Sequence, residues 1–143
     1  MCVDCLYAED ELDPGRDYRL IEADMTFTAV ADDCCPEFEV PAVLTWSETD
    51  PLAVEVTFQS DTHGETVWLI SRESFAEGLS RPTGIGDVRF RPDLVNPRVC
   101  EIYLNSPSGE LTLRFDIIEA GIFLAAVDRE IQLAAAEDSA GAA

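Results

Sequence analysis

The side chains best suited to chemistry in this sequence are five thiols, one imidazole and a small set of arginines. Cys2 and Cys5, in "CVDC", have the spacing of a metal knuckle or a redox pair, and Cys34 and Cys35 adjoin each other in "CCP". Adjacent cysteines seldom both ligate one tetrahedral ion, so a zinc site drawn from these four is a weak expectation. A reactive thiolate needs positive charge beside it, whereas Asp4, Asp32 and Asp33 crowd these sulfurs. With Cys100 the count is odd, and the N-terminus lacks the basic and apolar segments of a secretion signal, so reduced structural or incidental thiols are expected. His63 lies in "SDTHGET", which reads as a hairpin turn where an imidazole has no task. No serine or acid shows a nucleophile-elbow or paired-acid spacing, so the sequence predicts no enzyme and calls for no cofactor or metal.

The glycines of "RPTGIGD", residues 81–87, raise the question of a phosphate loop. Such a loop follows a strand, opens a helix and carries a lysine; here the order is reversed and the chain has no lysine. A turn is the better reading, with Gly84 and Gly86 reaching backbone angles that other residues adopt at a cost.

Charge narrows the function further. Nine basic residues, all arginine, face 29 acidic ones, for a net charge of -20. A surface this negative repels nucleic-acid backbones and anionic membrane faces. Five arginines (Arg72, Arg81, Arg89, Arg91 and Arg98) fall close together in sequence, so a local basic patch is the one route to nucleic acid. No stretch is long and apolar enough for a membrane span, and a soluble cytoplasmic protein is expected.

The elements that would position these groups are mostly strands. Met25, Phe27 and Ala29 alternate with threonines, and Val40, Ala42, Leu44 and Trp46 share one side of their run. Leu52, Val54, Val56 and Phe58 do the same, as do Val88 with Phe90, then Cys100, Ile102 and Leu104, then Leu111, Leu113 and Phe115. "ETVWLI" is apolar on both faces, as a strand covered on each side would be. Ser71 is placed to cap a short helix carrying Phe75 and Leu79 inward. From Ile117 the period changes to helical, with Ile117, Ala120, Phe123, Leu124, Val127 and Ile131 on one arc. Ile118, Ile122, Ala125 and Leu133 form a second apolar stripe on the opposite side. Such a stripe marks an oligomer or partner surface, unless the first twenty or so residues fold over it.

The expected architecture within this chain of 143 residues is one α+β domain: a curved antiparallel, barrel-like sheet with a short middle helix and a long C-terminal helix. Strands followed by a helix occur twice, which suggests a pseudo-repeat.

"ETDPLAVEVTF", "VWLISRESFAEGLSRPTGIGDVRF" and "ELTLRFDIIEAGIFLAAVDREI" resemble the SsgA-like family of sporulating actinomycetes, most of all its SsgB-like branch. The DP dipeptide before an AV and TF strand is matched by Asp50, Pro51, Ala53, Val54, Thr57 and Phe58. The central block is matched in order and spacing from Trp68 through Arg72, Glu73, Gly78, Leu79, Arg81 and Pro82 to Gly84, Gly86, Asp87, Val88 and Arg89. Residues 1–22, with their cysteines, look like an N-terminal extension, 23–133 like the family domain and 134–143 like a flexible tail.

What the resemblance implies is a non-enzymatic regulator of sporulation-associated cell division that acts at septa by recruiting or positioning FtsZ, with an SsgA-like protein as a further partner. It also implies a whirly-like fold and a homotrimer. The alternative is a single-stranded nucleic-acid binder, which needs a basic groove with stacking aromatics. The few aromatics and the negative total favour protein partners, with no nucleic acid and no direct membrane insertion. The candidate contact residues are Ile118, Ile122, Ala125 and Leu133 of the helix stripe, with Arg81 and Arg89. Arg81 could equally bond carbonyls at the end of the short helix, and Arg89 could be a solvated strand residue.

Overall fold

Strict alternation sends every second side chain of a strand to one face, and in this chain that face becomes a single core. A computed structural model of the protein describes residues 19–30, 36–60, 64–107 and 109–142. Cys2, Cys5, Cys34, Cys35 and His63 lie outside the described residues.

The elements run β1 (Leu20–Ala29), β2 (Phe38–Ser47), β3 (Asp50–Ser60), β4 (Gly64–Ser71), α1 (Arg72–Gly78), β5 (Val88–Pro92), β6 (Val99–Ser106), β7 (Gly109–Asp116) and α2 (Ile117–Ala142). The strands form one seven-stranded antiparallel sheet in the order β4-β3-β2-β1-β7-β6-β5. It curves into a half-barrel whose edge strands are β4 and β5. The two strands-then-helix units meet where β1 pairs with β7, Thr28 opposite Arg114 and Ala29 opposite Leu113.

Five phenylalanines join the units inside the curve. Phe27 lies 5.0 Å from Phe58 and 5.4 Å from Phe115, ring centre to ring centre, while Phe75 lies 5.1 Å from Phe90 and 5.7 Å from Phe115. Tilted and edge-on aromatic contacts of this kind add to the burial of large apolar side chains. Trp46 is fully buried and its indole N–H donates to the Pro51 carbonyl at 3.0 Å, so the one polar atom it brings inside is satisfied.

Helix ends follow the sequence signals. The Ser71 hydroxyl accepts from the Ser74 amide at 3.2 Å, capping α1. Asp116 caps α2, its Oδ1 accepting from the Ile118 amide at 2.7 Å and the Glu119 amide at 3.1 Å. Ala120, Phe123, Leu124 and Val127 of α2 are buried, with Ile117 and Ile131 packed against the core.

Several expectations need correction. Among the described residues regular structure runs from Leu20 to Ala142, and α2 continues through residues 134–142. Leu52 and Leu111 were expected inside but are exposed, because they sit near strand ends that none of the described residues covers. The run "ETVWLI" is not covered on both faces. It is the edge strand β4, with Val67 53% and Leu69 63% exposed on its outer side.

Candidate functional site

The block 81–90 builds a small structure of its own at the β5 edge. After α1, the Ser80 and Arg81 amides donate to the Glu77 carbonyl at 3.1 and 3.2 Å, ending the helix. The chain then doubles back, and Thr83 pairs with Phe90 through reciprocal amide–carbonyl bonds of 3.0 and 2.8 Å. Gly84 (φ 96°) passes the Val88 carbonyl so closely that a β-carbon would fall 2.5 Å from its oxygen, and Gly86 (φ 86°) completes the reversal. These glycines serve a tight turn into a strand, as the sequence predicts.

Between this turn and the outer face of β5–β7 lies an open cleft of about 420 Å³ whose lining includes Thr83, Gly84, Arg89, Arg91, Glu101, Tyr103 and Thr112. The register opposes Arg89 to Tyr103 and Arg91 to Glu101, all on the face away from the core. The Arg89 guanidinium lies 4.2 Å from the centre of the Tyr103 ring, a cation–π contact. Arg91 Nη2 donates to Glu101 Oε1 at 2.8 Å, and that carboxylate holds the Arg91 pKa above its ordinary value. Arg114 Nη1 donates to Glu37 at 3.1 Å, while its buried Nε is 3.6 Å from Glu101 Oε2 and has no hydrogen-bond partner among the described residues.

The described arginines do not merge into a basic patch. Arg19 pairs with Glu48, Glu130 and Glu137, Arg72 with Asp128, Arg81 with Glu77, and Arg98 with Asp116. With Arg91 and Arg114 also paired, Arg89 and Arg129 are the two without a carboxylate among the described residues. Arg81 spends its side chain on Glu77, one turn back, while its amide, not its guanidinium, takes the helix-end carbonyl. Arg89 is more than a solvated strand residue, because it covers one face of Tyr103.

The second candidate surface is the outer side of α2. Ile118 is 50%, Ile122 66% and Leu133 45% exposed, with Ala125 exposed between them, so the four residues share one uncovered side. They lie on a different element from Arg81 and Arg89, and the two sets do not form one site. Tyr103, Arg91 and Glu101 escaped the sequence reading, although alternation placed Arg89, Arg91, Glu101 and Tyr103 all outward. Pairing the two runs as a hairpin would have brought them together. Val67 and Leu69 escaped it because strand order is not written in periodicity.

Cys100 is buried, with its thiol 3.4 Å from the Gly78 carbonyl. Burial pushes its pKa up to about 11, against small opposing help from a backbone hydrogen bond, so the thiol stays protonated at neutral pH. Among the described residues no group of three or more His, Cys, Asp or Glu side chains is placed to hold a metal ion. No helix among them is long and apolar enough to cross a membrane.

Residues 40–135 match the family model described as "Streptomyces sporulation and cell division protein, SsgA". Sporulation-specific cell division protein SsgB of Streptomyces coelicolor is 45% identical over 76 residues, 52% of this chain and 55% of that protein. The SsgB of Saccharopolyspora erythraea is 36% identical over 102 residues, 68% of this chain and 71% of that protein. The alignment thus spans little more than half of the first relative's length. Among solved structures, one from a study of SsgB mutations and longitudinal cell division in Streptomyces coelicolor superposes with a TM-score of 0.75 at 31% identity, covering 82% of this chain and 92% of that one. An SsgA-like sporulation-specific cell division protein from Thermobifida fusca gives a TM-score of 0.73 at 24% identity, covering 82% and 85%, and supports the fold alone.

Proposed function

Because this chain belongs to the SsgA family of sporulation and cell division proteins and is similar to its SsgB members, we propose that it is a non-enzymatic regulator that binds division proteins at septa in the cytoplasm. Its work is to recruit or position FtsZ, with an SsgA-like protein as a further partner. The observation that carries the reading is the outer side of α2, where Ile118, Ile122 and Leu133 stand open to solvent. A row of large apolar side chains on a long helix loses free energy when another surface covers it. In the proposed assembly three copies, the number the resemblance implies, meet through this side, and the remaining surface is left for the division partner.

A pull-down from sporulating cells with the full chain tests it, with captured FtsZ and SsgA-like protein quantified by immunoblot. The reading expects FtsZ on the wild-type bait and a severalfold loss with Ile122→Asp if assembly supports recruitment. Equal FtsZ on bait and blank resin contradicts it.

One observation favours a second reading. The cleft beside Arg89 and Tyr103 holds the guanidinium and ring chemistry that single-stranded nucleic acid uses. Against it stand the single ring, already covered by Arg89, the carboxylate between Arg91 and Arg114, and the net charge of -20. Titration of labelled single strands across a salt series decides the matter. Tight binding that falls steeply with salt would install the nucleic-acid reading.

A further inference from the structure

We propose that the cleft between the 82–84 turn and β5–β7 receives a carboxylate from an acidic, partly apolar segment of a protein partner, with Arg89 as the principal contact. The proposal deepens the protein-binding reading above and rests on it only for the partner's being a protein.

Three observations point to this ligand. The first is the state of Arg89. In a chain with 29 acids, six of the eight described arginines already hold a carboxylate, while Arg89 lies on an exposed strand face with none among the described residues. Its stacking on Tyr103 fixes the planar guanidinium and leaves donors to meet an anion, so little ordering remains to be done on binding.

The second is the surroundings of that guanidinium. Arg91 follows two residues later on the same face of β5, and the Thr83 and Thr112 side chains also line the cleft. A carboxylate between two such arginines takes charge-assisted hydrogen bonds that a neutral amide would not match. Glu101 already engages Arg91 and lies near Arg114, so the site has room for one negative charge and no more. That arithmetic suits a single carboxylate and disfavours a phosphate chain. The Tyr103 ring, with one face already taken by Arg89, likewise offers a poorer platform for a base.

The third is Ile85, which is 93% exposed one residue beyond Gly84. The turn that walls the cleft also holds an apolar side chain out into solvent, an anchor for an apolar residue next to the partner's acid. One wall, the 82–84 turn, comes from "RPTGIGDVRF", where backbone geometry fixes Gly84, and the rest is supplied across β5–β7 by Arg91, Glu101, Tyr103 and Thr112.

The test is fluorescence anisotropy with the full chain and a labelled, C-terminally amidated heptapeptide with one central Asp flanked by Leu in a Ser–Gly frame, at low and at moderate salt, beside a labelled 20-mer of thymidylate. Arg129→Gln is the control, because it removes the same charge from the other unpaired arginine. The expected result is that Arg89→Gln weakens the peptide about tenfold or more, roughly 1.4 kcal/mol, while Arg129→Gln leaves it within about twofold. Arg89→Lys should recover little, since a point charge neither stacks nor forks. Equal effects of the two Gln variants, no binding of the peptide at low salt, or tighter binding of the oligonucleotide through Arg89 would each overturn the proposal. None of these results depends on whether FtsZ is captured, so the two readings fail separately.

Discussion

Gly78, the last residue of α1, lies so close to Phe90 of β5 that a β-carbon added to it would fall 2.5 Å from both Cβ and Cγ of that side chain. The contact locks the short helix onto the strand that carries Arg89 and sets where the 81–87 turn begins. Gly78→Ala should therefore cost about 1–3 kcal/mol through overpacking, measured by urea unfolding. A loss below about 0.5 kcal/mol, the range of a neutral surface change, would show that the helix end shifts freely.

Asp116 joins β7 to α2 and does two tasks, accepting the Ile118 and Glu119 amides and pairing with Arg98 at 2.8 Å. Burial acts to raise its pKa, but the two amides and Arg98 outweigh it and hold the carboxyl below the usual range. A carboxyl depressed in the folded state adds stability that is complete above its unfolded pKa, about 4, and is lost as pH falls through the lower folded value. Asp116→Ala should cost about 1 kcal/mol at pH 7, and its difference from wild type should shrink below about pH 4. Asp116→Asn should lose less, since an amide oxygen still caps. A wild-type difference that persists unchanged at pH 2.5 would contradict this assignment.

Much of this was legible beforehand, and the reasons for the misses are physical. Period-two runs identified Phe27, Leu44, Val56, Ile102 and Leu113 as core because side-chain alternation is a backbone property that tertiary context cannot reverse. The same rule placed Leu52 and Leu111 inside, yet parity gives only the face and not whether anything covers that end of it. Helical phase separated Phe123 and Val127 from Ile122 correctly, for the same geometric reason. "ETVWLI" misled because an apolar strand may be central or may wait at an edge for another molecule, and strand order settles which. The cleft needed cross-strand register: Arg89 and Tyr103 are fourteen residues apart in sequence and meet only when β5 and β6 pair. Arg81 was legible as a residue at the helix end, though its partner Glu77 lies one turn back in the same block.

Cys100 should be the slow thiol of this chain. With its pKa pushed up to about 11 by burial, the thiolate population near pH 8 is about a hundredfold below that of an ordinary cysteine, before steric protection is counted. Timed iodoacetamide labelling with peptide mass spectrometry should find the Cys100 peptide unmodified in the folded protein and fully modified in 6 M guanidinium. Native-state labelling of Cys100 at the rate of a free thiol would show that the α1–β5 packing opens readily.

Whether α2 turns its apolar side toward another copy is measured by light scattering on the purified full chain. At about 0.15 M salt, where the screening length is about 8 Å and repulsion between strongly anionic copies is damped, the account predicts three times the 15.7 kDa chain mass. Ile122→Asp should return the single-chain mass while keeping the wild-type circular dichroism. A wild-type monomer at tens of micromolar, or a variant whose mass does not change, would contradict the account.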